Sequence, residues 1–138
     1  MIAGGACLLA LAAWAIPARS PAAWNEPPAY EYTVEFRCDM AFPPGRYTLT
    51  VANGRVEKAR GADAFSENVM TVRKMKPEHF PTLGDLFEDF QRARSAGADV
   101  AKVSVDPEDG HPTRIRLDYR KESVDDESCS DIVGFTPR

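Results

Sequence analysis

Two histidines and three cysteines in 138 residues leave little material for metal or nucleophilic chemistry. There is no Cys-x-x-Cys pair, and no spacing joins His79 and His111 to a third ligand, whereas a zinc site gathers three or four Cys, His or carboxylate groups. A GxSxG elbow is missing, and no serine has a sequence context that links it to a histidine. The phosphate-cradling patterns GxGxxG and GxxxxGK are missing as well. These gaps predict no catalytic residue, no metal and no cofactor. Basic residues are also short: 17 Lys and Arg stand against 21 Asp and Glu, a formal charge of -4. That balance speaks against a nucleic acid partner, because phosphate binding draws on concentrated Lys and Arg.

The longest apolar stretch, residues 2 to 18, reads IAGGACLLALAAWAIPA and is too short and too soon broken, by Pro17 and Pro21, for a comfortable membrane span. The small residues Ser20 and Ala22 follow it, so it resembles the apolar and cleavage regions of a secretory signal peptide cut before Ala23. The expected organisation is a signal peptide or membrane-targeting segment over residues 1–22 and a single α+β domain over 23–138. No Lys or Arg precedes the apolar run, so an uncleaved anchor and a buried N-terminal helix stand as alternatives. Cys7 lacks the larger aliphatic residue that precedes an acylated cysteine, and it leaves with the leader. The protein is expected to be secreted or extracytoplasmic, touching a membrane only through an uncleaved or lipidated N-terminus.

Removal of the leader leaves Cys38 and Cys129, which allow one intramolecular pairing. An oxidising destination favours the disulfide, and a reducing one would leave two free thiols.

The stretch from Val100 to Tyr119, VAKVSVDPEDGHPTRIRLDY, reads as the hairpin around which the rest is organised. Val103 and Val105 before the turn, and Ile115 and Leu117 after it, alternate with polar residues, which is the period of a half-buried strand. The cleanest alternation starts earlier, with Tyr30, Tyr32, Val34, Phe36 and Cys38 on one side of a strand. Trp24 is expected to fold back as an apolar lid. Tyr47, Leu49 and Val51 share the face of a second strand, and Asn53-Gly54 then predicts a type I′ hairpin into a third, carried by Val56. Residues 61–81 read mainly as loop, with VMTVRKM as a short irregular strand.

Thr82, with Asp85 three residues on, fits an N-cap and capping box. Leu83, Leu86, Phe87, Phe90 and Ala93 recur at helical spacing, and Gly97 stops that helix. A last strand runs from Cys129 to Phe135 around Ile132. If the first and last strands lie side by side and antiparallel, Cys38 and Cys129 meet. The expected fold is α+β: a mostly antiparallel sheet of five or six strands with one amphipathic helix packed on one face. The other face would be solvated and carry Glu31, Thr33, Glu35, Lys102, Arg114 and Arg116 as ordinary mixed charge.

The turn DPEDG groups Asp106, Glu108 and Asp109 but lacks the alternating ligands and distal Glu of a calcium loop. Asp and Pro are turn formers in their own right, so the turn is read as structural, with His111 a solvated residue beside Pro112 and His79 a loop residue beside Phe80. The acidic run Glu122, Asp125, Asp126, Glu127 and Asp131 is read as a solvated loop.

Several motifs together resemble those of an uncharacterised family of small bacterial exported proteins and lipoproteins. They are Trp24, Tyr30-x-Tyr32 leading to Cys38, Asn53-Gly54, Phe80-Pro81-Thr82, Asp106-Pro107, Gly110 and Pro112 to Ile115. The resemblance covers residues 24 to 135. It implies an exported or tethered α+β protein and brings no catalytic or ligand residues. The chain departs from the family pattern in lacking a lipobox cysteine at the end of the leader and in having Cys129 where a tyrosine is common. The functional expectation is an exported, non-catalytic binding or structural module of the cell envelope or extracellular space, with a protein partner. One alternative is an inhibitor or sensor of a cell-envelope enzyme, presenting the turns FPPG, NG and PEDGHP at one rim. A small hydrolase is a further alternative, and it would need a pocket holding a histidine or two carboxylates.

Overall fold

The computed structural model describes residues 24–38, 42–122 and 126–138. The expected leader with Cys7, and Asp125 of the acidic run, lie outside the described residues. Six strands form one sheet: β1 (Ala29–Phe36), β2 (Gly45–Ala52), β3 (Arg55–Gly61), β4 (Val100–Val105), β5 (Pro112–Asp118) and β6 (Glu127–Pro137). Their order across the sheet is β3-β2-β1-β6-β5-β4, and each neighbouring pair is antiparallel. Between β3 and β4 the chain forms α1 (Ala64–Val72), a 3-10 turn (Pro77–His79) and α2 (Leu83–Ser95).

The alternation in β1 becomes alternate burial, with Tyr30, Tyr32, Val34 and Phe36 each 1% exposed or less. They meet Tyr47, Leu49 and Val51 of β2 and Ile115 and Leu117 of β5 in one core. The stripe on α2 closes that core, with Leu83, Leu86, Phe87, Phe90 and Ala93 all buried. Burying a Leu or Phe side chain contributes about 1.5–3 kcal/mol, so this stripe holds α2 in place more than helix propensity does. Trp24 lies over the core's end as expected, edge-on to Phe87 and Phe135 at 6.2 and 6.4 Å between ring centroids.

The terminal strands pair down the middle of the sheet, β1 against β6. Cys38, just past β1, and Cys129, early in β6, are joined as a disulfide across a Cα–Cα distance of 5.2 Å. The hairpin of β4 and β5, by contrast, lies at the edge and not at the centre. Its alternation reports one covered face and a local turn, whereas position in a sheet is set by pairing between strands distant in sequence. The Asn53-Gly54 turn has φ of 55° and 76°, the left-handed pair a type I′ hairpin requires.

The segment 61–81 departs from expectation. VMTVRKM is no strand; its first residues complete α1, so two α-helices stand where one is expected. Asp63 caps α1, its Oδ1 accepting from the Ser66 N–H at 2.7 Å. Ser66 is the buried residue of this helix, and its Oγ accepts from the Arg46 N–H at 2.8 Å. Gly61 permits the close approach, since a Cβ there would overlap the Ser66–Glu67 backbone.

Candidate functional site

The helices and the core lie on one face of the sheet, and the other face is open. Cross-strand register sets its residues in rows. One row runs Arg46–Glu35–Asp131–Arg114–Ser104 across β2, β1, β6, β5 and β4. The next runs Arg60–Thr48–Thr33–Gly134, and beyond it lies Lys58–Thr50–Glu31–Thr136. The register shift that starts the second row leaves Val133 as an unpaired bulge residue in β6.

Asp131 is the fixed point of this face. Its carboxylate accepts from Arg116 Nη2 at 2.8 Å and lies 3.3 Å from Arg114 Nε and 3.4 Å from Arg37 Nε. Glu35 is shared in the same way between Arg37 Nε, at 3.0 Å, and Arg46 Nη2, at 2.9 Å. The two acids are withdrawn, with side chains 11% and 21% exposed, whereas Arg37 and Arg114 are each 62% exposed. Two carboxylates therefore orient four guanidiniums, and positive charge is in excess. Exposed ion pairs contribute about 0–1 kcal/mol each, so the arrangement orients the arginines far more than it stabilises the fold. Lys58, Arg60 and Lys102 make no ion pair among the described residues. Between the charges lies a floor of small groups, where Thr33 Oγ1 and Thr48 Oγ1 hydrogen-bond at 2.9 Å beside Gly134. A concavity of about 400 Å³ opens over Thr48 and Thr50, walled by Lys58, Arg60, Glu31 and Arg138.

Of the solvated residues expected here, Glu35, Arg114 and Arg116 come together. The expectation missed the acid that organises them: Asp131 falls inside the expected last strand, Cys129 to Phe135, but reads with the solvated acidic run. It lies within β6 and is 8% exposed.

The β4–β5 turn brings Asp106, Asp109 and His111 within 4.8 Å of one another by their ligand atoms. Glu108 is not in the group, contrary to the acid set considered from sequence. These three could hold a metal ion by distance, yet their polar atoms already build the turn. Asp106 Oδ1 accepts from the Glu108 N–H, and Asp109 Oδ1 accepts from the His111 N–H and faces His111 Nδ1 at 2.5 Å. Burial raises the Asp109 carboxyl, but the hydrogen bonds from His111 outweigh it and hold its pKa low. His111 is not solvated as expected. Its side chain is 13% exposed and its ring stacks on Phe135 at 4.3 Å. His79 ends the 3-10 turn, which packs on β3 at the opposite edge of the sheet, and its Nδ1 accepts from the Lys76 N–H. The two histidines therefore share no pocket.

A third polar group lies under the start of α2. The Tyr30 hydroxyl accepts from the Leu83 N–H at 2.8 Å, and the Tyr32 hydroxyl donates to the Pro81 carbonyl. Thr82 and Asp85 form the expected capping box. Glu26 sits beside them, accepting from the Gly84 N–H, and burial pushes its carboxyl above the usual range. Burial likewise pushes both phenols well up, so they act as neutral hydrogen-bonding struts. The antiparallel order also separates the turns. Asn53-Gly54 and Asp106–His111 lie at one end of the strands and Phe42–Gly45 at the other, so the three do not form one rim.

Fold and site define an antiparallel α+β module with one face packed by helices and one left open and charged. The chain belongs to the family of unknown function DUF6174, whose pattern matches residues 18–137. No curated protein and no solved structure matches it.

Proposed function

We propose that the protein is an exported, non-catalytic binding module of the cell envelope or extracellular space, and that it presents the open sheet face to a protein partner. The observation that carries this reading is the pair of withdrawn acids, Glu35 and Asp131, holding exposed arginines in fixed positions. A merely solvated face has no need of such order. Export is supported by the leader-like residues 1–22 and by the Cys38–Cys129 disulfide, since such bonds persist in oxidising compartments. Among the described residues no helix is long and apolar enough to cross a membrane. The absence of catalysis from this reading rests on the histidines, one committed to a turn and stacked on Phe135, the other at the far edge.

The test is the intact mass, reduced and non-reduced, of protein recovered from the host's culture fluid and membrane fraction. The expected species begins near Ala23 and gains two hydrogens on reduction. A full-length cytosolic species with both thiols free would overturn the reading.

A further inference from the structure

The open face has the form of a trough. Its floor is the Thr48–Thr33–Gly134 row, made of small side chains. One margin is the Arg46–Glu35–Asp131–Arg114 row; Arg60 ends the floor row on β3, and the opposite margin is the Lys58–Thr50–Glu31–Thr136 row, in which Glu31 is paired with Arg138 at 3.2 Å. Each exposed arginine of the first margin spends little of its guanidinium on its own acid: Arg46 uses Nη2, Arg114 uses Nε and Arg37 uses Nε. A guanidinium has five N–H donors, so most of this capacity faces outward.

We infer that this trough binds an extended acidic segment of a protein partner, laid across the strands with its carboxylates on Arg114 and Arg46 along one margin and on Arg60 and Lys58 at the β3 end. The inference rests on the reading of the open face as the partner surface, and it names the partner's chemistry. The spacing fits: Arg46 and Arg114 are three strands apart, roughly 14 Å at the usual strand separation, which an extended peptide spans in about four residues. The local chemistry fits as well, because Arg116–Asp131 and Arg46–Glu35, at 2.8 and 2.9 Å, already show arginines here pairing with carboxylates. So does the sign of charge, since this cationic margin belongs to a chain of net charge -4.

Other polyanions fit less well. The floor has no aromatic ring on which a base could stack, as single-stranded nucleic acid binding wants. Of the exposed large apolar side chains, Val72 is on α1 and Tyr119 follows β5, while Phe65 of α1 shares a concavity with Arg37 and Arg46 at one end of the margin and Val133 is in β6. One phenylalanine and one valine do not make an apolar face broad enough to insert into a lipid leaflet.

The experiment is fluorescence anisotropy of a labelled poly-glutamate peptide with the purified, disulfide-intact protein, at low and at physiological ionic strength. Binding is expected at low salt and weakens as salt screens it. Lys58→Glu with Arg114→Glu is expected to cut affinity by about tenfold or more. Gly134→Trp tests the floor separately: a Cβ there meets only Thr33 at an ordinary 3.7 Å, so the fold tolerates it while the trough fills. It is expected to weaken the peptide comparably, with Lys74→Glu on the α1 side as the control that leaves binding unchanged. The near-ultraviolet circular dichroism of each variant reports its fold. Absence of peptide binding at low salt would overturn the inference, and so would equal loss in the Lys74 control. Tighter binding to duplex DNA or to phosphatidylglycerol vesicles would overturn it too, by assigning the trough to another class of partner. A protein found in the culture fluid that ignores the peptide sinks this inference and leaves export standing. A cytosolic protein that binds it does the reverse.

Discussion

Asp131 and Glu26 are both acids held away from water, and they differ in what surrounds them. Three guanidiniums approach Asp131, two of them largely exposed and able to rehydrate if the acid is lost. Asp131→Ala is therefore expected to cost about 1–2 kcal/mol, less than a fully buried pair, and a urea titration measures it. The same substitution frees Arg114 to move, visible as a narrowed Nε resonance, whereas Arg37 keeps its pairing with Glu35. Among the described residues, no cation lies beside Glu26. Burial raises its carboxyl above the usual carboxylate range, and the Asp85 charge adds to that, so the folded state binds this proton more tightly than the unfolded chain does. Its contribution to stability is then full in acid and is lost as pH rises from about the unfolded value through the raised one. Glu26→Gln keeps an acceptor for the Gly84 N–H and removes the charge. Thermal melts across the mildly acidic range are expected to show a flatter pH dependence for this variant and a higher midpoint at neutral pH.

Helix α2 and strand β1 are tied by hydroxyls as well as by packing. Thr82→Ala removes the N-cap and is expected to cost about 1 kcal/mol. Tyr32→Phe leaves the Pro81 carbonyl without its buried donor and is expected to cost about 1–3 kcal/mol. Both are read from denaturation midpoints. These elements were legible in the sequence because cap, stripe and stop agree within one short window: Thr82 and Asp85, then Leu83 to Ala93, then Gly97. The first strand was legible for a similar reason, its alternation matching its burial residue by residue. Helix α1 was not. Its Val69, Thr71 and Val72 are β-branched and poor helix formers, and Phe65 and Val72 face solvent, so no apolar stripe marks a core side. Asp63 three residues before Ser66 was the signal available for it. The open face was legible residue by residue but not as a network, since Glu35, Asp131 and Arg114 meet only through the β1–β6 and β6–β5 pairings. Sequence places Glu35 nearly a hundred positions before Asp131 and puts the β5–β6 connection between Arg114 and Asp131.

At the scale of the whole molecule, the pairing of β1 with β6 and the disulfide beside it reinforce one another. The bridge joins residues 91 apart in sequence, and loop-closure entropy over that span stabilises the fold by at most about 4–5 kcal/mol. Reduction is expected to lower the thermal midpoint sharply while leaving the far-ultraviolet spectrum largely native, because the β1–β6 ladder remains. Cutting the chain after Asp118 is expected to do the opposite: it removes the strand that joins β1 to β5, and the product is expected to lose cooperative unfolding and to aggregate through the strand edges left bare. The order β3-β2-β1-β6-β5-β4 also sets a clock. As the chain emerges from its N-terminal end, the β1–β2–β3 meander and later the β4–β5 hairpin can form from near neighbours. The two halves of the sheet still cannot pair until Glu127–Pro137 arrives. Sheet completion and thiol oxidation thus become a single late event, timed by delivery of the last strand, and a chain threaded through a pore would meet its oxidant while still in two unjoined pieces.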